Sequence, residues 1–308
     1  MNEQTEQPAA ATATCVALWR SVRPRQWTKN LFVFAAVLFS RNLLEPLMLA
    51  RTAGAFAVFC ALSGAAYILN DLADLAHDRE HPVKRARPLA SGALGLRQAG
   101  AAVALLTAAA LIAAFHLSAG LLAVGAAYLV LQGAYSLWLK NVVILDVFAI
   151  ALGFVLRVVA GAVVIGVVVS PWLLICTILL ALFLGLCKRR HELLMLEGGA
   201  PNHRSVLGHY STYLLDQMIS VIAAASVIAY ALYTMAEQTV ERFGTANLIF
   251  TVPFVLYGIL RYLYLVHQRA SGGDPEETLL SDKPLMADVL LWVAAVALIV
   301  YLKPGIGP

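Results

Sequence analysis

"AFAVFCALSGAAYILNDLADLAHDREHPVKRARPLASG", residues 55–92, changes character in its middle. Its first fifteen residues are apolar almost throughout, long enough with their upstream neighbours to cross a bilayer as a helix, which takes about 20 residues. Asn70, Asp71, Asp74 and Asp78 then follow, with Lys84, Arg85 and Arg87 close behind. The stretch therefore reads as a membrane span that ends in a charged cluster at the water boundary.

The rest of the chain repeats the apolar half of that pattern. Of 308 residues, 61% are hydrophobic and 13% charged, about half the charge of a soluble domain. Continuous apolar runs fall near 30–49, 53–74, 98–115, 119–138, 142–168, 172–187, 213–235, 246–266 and 285–302. They do not alternate, which excludes a transmembrane barrel. Residues 98–138 divide at "HLSAG", and 142–187 divide at "VSPW", where Pro171 ends one helix and opens the next. The expectation is an all-α integral membrane protein with nine transmembrane helices in a single domain, 19–308. Residues 1–18 begin with a polar, acidic run that is no secretory signal, and are expected to form a disordered tail. Cys15, Cys60, Cys176 and Cys187 form no CxxC pair, so neither a disulfide framework nor a zinc site is implied.

Basic residues set the orientation. With the N-terminus in the cytoplasm, 17 of the 22 Lys and Arg fall in cytoplasmic segments, among them Arg204 and Arg269. Arg41, Arg51, Arg242 and Lys303 fall opposite, and Arg157 lies within a span. The positive-inside rule then puts the N-terminus and the acidic cluster on the cytoplasmic side of a bacterial plasma membrane, and the C-terminus outside.

On an α-helix Asn70, Asp74, Asp78 and Asp71 lie at about 0°, 40°, 80° and 100°, one arc over a rise of roughly 12 Å. Carboxylates so gathered repel one another unless a cation lies between them. Hard oxygen donors suit Mg²⁺, which binds one or two carboxylates together with phosphate oxygens. Lys84, Arg85 and Arg87 suit the remainder of a phosphorylated ligand. The plainer reading, a solvated helix end paired with its own loop, weakens at membrane depth. Asp146 and Arg157 share a stripe of the fifth span about 16 Å apart, too far to pair, so each needs a partner elsewhere. Gly153 and Gly161 read as close helix packing. Tyr135 and Lys140 lie at the cytoplasmic end of that span; Tyr135 reads equally as an interfacial anchor. Arg25 and Lys29, four apart, read either as holders of a lipid phosphate or as headgroup anchors.

"NDLADLAHD" resembles the NDxxDxxxD motif of the UbiA superfamily of intramembrane prenyltransferases. The resemblance implies nine spans around a central cavity and Mg²⁺-diphosphate bound at the motif. By position, Asn70, Asp74 and Asp78 become metal residues, and Asp71, Asp74 and Asp78 catalytic ones. Typical members carry a second acidic motif, DxxxD, after the sixth span. This chain has "KRRHEL" at 188–193 instead, which suggests fewer metal ligands and more direct phosphate contacts, with Lys188 and Arg189 in catalytic roles and Glu192 beside the substrate.

That run, together with "RPRQWTKNLFVF" at 23–34, "DREHPVKRARPLASG" at 78–92, "YSLWLKNVVILDVFAIALGFVLRVVAGA" at 135–162 and "GGDPEETLLSD" at 272–282, is similar to the decaprenyl-phosphate phosphoribosyltransferase branch. The branch implies a Mg²⁺-dependent pentosyltransferase that joins 5-phosphoribosyl 1-diphosphate to a polyprenyl phosphate, serving cell-envelope arabinan synthesis. Its partners would be those two substrates and the bilayer, with no nucleic acid. Arg25, Lys29, Lys84, Arg85, Arg87, Tyr135, Lys140, Asp146, Arg157 and Glu192 are the expected substrate contacts. An aromatic or quinone-pathway prenyltransferase is the alternative, and the absent second DxxxD counts against it.

Overall fold

A computed structural model describes residues 7–80, 82–197, 205–268 and 275–301. All its regular structure is helical. Helix α1 (Gln7–Val22) leads into a 3₁₀ helix (Pro24–Phe34) that continues as α2 (Ala35–Phe39). Next come α3 (Pro46–Ala73), α4 (Leu75–Glu80), α5 (Leu96–Leu117), α6 (Ala119–Leu137) and α7 (Leu145–Val164). Then follow α8 (Pro171–Glu197), α9 (Thr212–Met235), α10 (Glu237–Phe243), α11 (Val252–Gln268), α12 (Pro275–Ser281) and α13 (Lys283–Tyr301).

Eight helices among the described residues are long and apolar enough to cross a membrane, and they match the last eight expected spans. The protein is a multi-pass membrane protein. Their ends follow from local chemistry. Pro46 and Pro171 sit where a helix's first N–H needs no partner, the Ser118 and Ser211 hydroxyls accept from Gly120 and Leu214 N–H, and Gly244 (φ 62°) closes α10.

The first expected span, 30–49, is corrected. No long α-helix forms there; the chain is 3₁₀ from Pro24 to Phe34, and α3 has already begun at Pro46. A 3₁₀ helix rises about 2.0 Å per residue against about 1.5 Å for an α-helix, so 24–39 covers roughly 30 Å, the depth of a hydrocarbon core. Arg23, just before it, bonds Asp71 at the end of α3, while residues 40–45 lead directly into α3's start. The segment therefore runs the length of α3 in the opposite direction. The buried residues of the 3₁₀ helix, Asn30 and Val33, lie three apart, one 3₁₀ turn, and Ala36 and Val37 continue the buried side into α2.

The other correction concerns the tail. Residues 7–18, expected to be disordered, belong to α1, where Ala17 is buried beside Ile68, Leu89 and Leu94. Residues 1–6, Arg204, Arg269, Lys303 and the first three residues of "GGDPEETLLSD" lie outside the described residues.

Helix α7 organises the bundle. It is the most buried of the candidate spans, and α5 the least. Ala160 and Val164 join the 3₁₀ helix, α3, α5 and α6 in one apolar core; Val147, Ala151 and Phe154 join α8, α9 and α11 in another. Gly161 makes the first contact so close that a Cβ would lie 1.9 Å from the Val33 carbonyl oxygen. The expected packing role of Gly161 thus has a specific cause.

Candidate active site

The charged residues of the spans collect at one end of the bundle, where α3, α6 and α8 finish and α5, α7, α9 and α13 begin. Backbone bonds from Asp74 N–H to Asn70 and from Asp78 N–H to Asp74 carry the helical path across the junction of α3 and α4, so the acidic residues share one side. Within that arc they sort into two pairs. Asp71 and Asp78, about 20° apart on an ideal helix, are both bonded by Arg87 Nη1, at 2.9 and 2.6 Å. Arg23 Nη2 adds a 2.5 Å bond to Asp71. Asn70 Nδ2 donates to Asp74 Oδ2 at 3.1 Å, and Lys140 Nζ reaches Asp74 Oδ1 at 2.7 Å. Between the like charges of Asp71 and Asp78 stands the Arg87 guanidinium.

A second cluster lies across the α6–α7 connection. Arg189 Nε bonds Asp146 Oδ2 at 2.6 Å, and its Nη1 bonds Glu192 one turn on. Nη2 points to the Tyr135 hydroxyl at 3.4 Å. The Tyr210 hydroxyl donates to Asp146 Oδ1 at 3.1 Å and accepts from the Ile144 N–H at 2.7 Å. Burial holds the Tyr210 phenol up at about 12, with the Asp146 carboxylate adding to the shift, so it stays a donor at neutral pH. Ile144 has φ 70° and ψ −45°, and the Leu145 N–H donates back to the Val143 carbonyl at 2.8 Å. That is a γ-turn forced on a β-branched residue, a strained arrangement that aims the first turn of α7 at Arg189. The short stretch 135–146 stitches the clusters together, since Tyr135 and Asp146 meet Arg189 while Lys140 meets Asp74.

Arg157 lies apart, deep in the bundle. Its Nε bonds Asn30 Oδ1 at 2.7 Å, Nη1 the Gly153 carbonyl at 2.8 Å and Nη2 the Tyr128 hydroxyl at 3.0 Å. Its guanidinium carbon also lies over the rings of Tyr128 and Phe154, at 4.9 and 5.5 Å. The partners that the stripe on α7 demanded are therefore Arg189 for Asp146, and Asn30 with Tyr128 for Arg157.

Of the other expected contacts, Arg25 and Arg85 are exposed and Lys84 is half-buried. Lys188 is half-buried beside Arg189, and Lys29 bonds Gln26 three residues back. Sequence reasoning missed Arg23, Asn30, Tyr128 and Tyr210. Arg23 was within reach: in a 3₁₀ helix Arg25 and Lys29 fall about 120° apart rather than on one face. Asn30 and Tyr128 gave no local signal, because their reason for being polar is an arginine far along the chain.

A helical bundle with this acidic arc agrees with the family comparison, in which residues 30–278 match the UbiA prenyltransferase family. The chain belongs to that family. Two relatives carry the name decaprenyl-phosphate phosphoribosyltransferase. The Mycolicibacterium smegmatis protein is 31% identical and the alignment covers 98% of each chain. The Corynebacterium glutamicum protein is 35% identical over 92% of this chain and 87% of its own. Among solved structures, a UbiA homolog from Archaeoglobus fulgidus bound to GPP and Mg²⁺ matches with a TM-score of 0.70. It is 20% identical over 92% of this chain and 99% of its own, a likeness of fold.

Of the expected metal residues, the structure brings Asn70 and Asp74 together, two hard oxygen donors of the kind Mg²⁺ takes alongside water and phosphate, while Asp78 is held by Arg87. Asn70 donates through Nδ2, leaving its carbonyl oxygen beside the Asp74 carboxylate. Among the described residues no group of three or more Asp, Glu, His or Cys side chains is placed to hold a metal ion.

Proposed function

We propose that the protein transfers 5-phosphoribose from 5-phosphoribosyl 1-diphosphate to a polyprenyl phosphate, releasing diphosphate. The observation that carries this reading is the pairing of partly exposed Arg23 and Arg87 with the sealed Asp71 and Asp78, next to the Lys140–Asp74 pair, in which the carboxylate is the more exposed partner. Both charges of a metal–diphosphate complex find their complement there. The cationic run in place of a second acidic motif, and the relatives named for this reaction, support it further.

The acceptor is an anion already, so its phosphate oxygen attacks the anomeric carbon without a general base. The bond from that carbon to the diphosphate oxygen breaks, and the configuration inverts from α to β. Arg23, Arg87 and Lys140 can turn from their carboxylates to phosphate oxygens, where negative charge grows as diphosphate leaves. Asn70, Asp74 and Asp78 would hold Mg²⁺, and the chemistry that ion supplies when bound is neutralisation of the diphosphate. Arg189, Asp146 and Tyr210 fix the floor beside them. The lipid tail stays in the bilayer, so the remaining task is to bring a soluble sugar and a lipid into line. The positive-inside distribution supports a site open to the cytoplasm.

The test is to incubate membranes carrying the protein with labelled 5-phosphoribosyl 1-diphosphate, polyprenyl phosphate and Mg²⁺. Label should enter the organic phase, and a chelator or Asp74→Asn should abolish it. Transfer only from a prenyl diphosphate to an aromatic acceptor would overturn the reading.

A further inference from the structure

The opposite end of the bundle holds a feature that the transferase reading does not use. A cavity of about 160 Å³ opens there between the ends of α2, α7 and α9, the start of α8, and α10. That is far more than the roughly 10–15 Å³ a single water takes up on the same scale. Phe39, Val167 and Leu173 give it apolar walls, and Ser170 adds a hydroxyl at its rim. Arg242, Gln238, Thr239 and Tyr233 all line it, and among the described residues no carboxylate does. Tyr233 is 8% exposed and Thr239 4%, yet neither hydroxyl has a hydrogen-bond partner among the described residues. Arg242 is exposed and makes no ion pair among the described residues, although Glu237 and Glu241 share its helix.

Hydroxyls that face the cavity with no protein partner are free to bond an occupant, and the arginine beside them sets its sign. A guanidinium with neighbouring hydroxyl donors and no competing acid suits the oxygens of a phosphate group. We propose that this cavity binds a phosphate-bearing anion at the end of the bundle remote from the acidic cluster. Arg242 supplies the counter-charge, and Tyr233 and Thr239 the donors. The phosphate belongs either to a lipid headgroup, whose chains would follow the apolar walls, or to a free anion. The inference stands independently of the transferase reading.

Native mass spectrometry of the full-length protein in neutral detergent tests it, with phosphatidylglycerol titrated against diacylglycerol of the same chains. A second arm follows the melting temperature with added inorganic phosphate. Wild type should retain phosphatidylglycerol over diacylglycerol about tenfold more than Arg242→Gln, with Tyr233→Phe between them and Arg242→Lys near wild type. Retention without a phosphate-induced melting shift identifies a lipid headgroup. A melting shift lost in Arg242→Gln, with no lipid preference, identifies a free anion. Unliganded melting temperatures report whether each variant folds, and Tyr233→Phe keeps a readout if Arg242→Gln does not. Lipid retention and phosphate response both unchanged in the variants that fold would overturn the proposal.

Discussion

Two clusters of acids and bases share one end of this bundle, and they differ in which partner faces water. Around Asp71 and Asp78 the acids are sealed at 3% exposure, while Arg23 and Arg87 keep 28% and 26%. Around Asp146 both partners are sealed, Arg189 at 1% and Asp146 at 0%. A half-exposed arginine can leave its carboxylate for a phosphate at small cost, because water takes part in either state. A sealed one cannot, because leaving would strand a buried charge. The first cluster is therefore built to exchange partners and the second to hold still.

The largest effect should come from breaking the sealed pair. Arg189→Ala strands Asp146 and should destabilise the fold by about 3–5 kcal/mol, seen as a lowered unfolding midpoint in detergent. The double change Arg189→Met with Asp146→Leu should recover much of that loss; equal damage from both would mean the charges matter beyond each other. Next comes Asp74→Asn, beside the exchanging cluster, where the carboxylate is the more exposed partner of Lys140. Transfer should fall by about 10²–10³-fold while the unfolding midpoint stays near wild type. A large loss of stability instead would make that cluster as fixed as the other.

Smaller effects probe the frame between them. Gly161→Ala drives a methyl into the Val33 carbonyl and should cost about 1–3 kcal/mol, read from the same melts, as the 3₁₀ helix is pushed off α7. Ile144→Gly relieves the γ-turn and should change stability by about 1 kcal/mol or less, strain relief being offset by chain entropy. Its sharper readout is transfer rate, which should fall if the strained turn is what aims Asp146 at Arg189.

The membrane spans were legible because bilayer thickness imposes one length on them all. The exception, 30–49, failed for a physical reason: 3₁₀ geometry covers the same depth in fewer residues, so an α-helical ruler overran into α3. The same error chose Arg25 and Lys29 over Arg23. In the site, the arc of Asn70, Asp71, Asp74 and Asp78 could be read from one helix. So could the need of Asp146 and Arg157 for partners. Who those partners are could not, because Arg157 meets Asn30 across 127 residues and Arg189 meets Asp146 across 43. Such pairings are set by how helices stack, which no local spacing encodes.

The exchange itself can be observed with Mn²⁺ in place of Mg²⁺, by electron paramagnetic resonance on the purified protein with and without diphosphate. The account predicts a protein-bound Mn²⁺ signal that tightens when diphosphate is added, shows phosphorus coupling, and disappears in Asp74→Asn. A signal that survives Asp74→Asn unchanged, or diphosphate that binds equally well without metal, would contradict it.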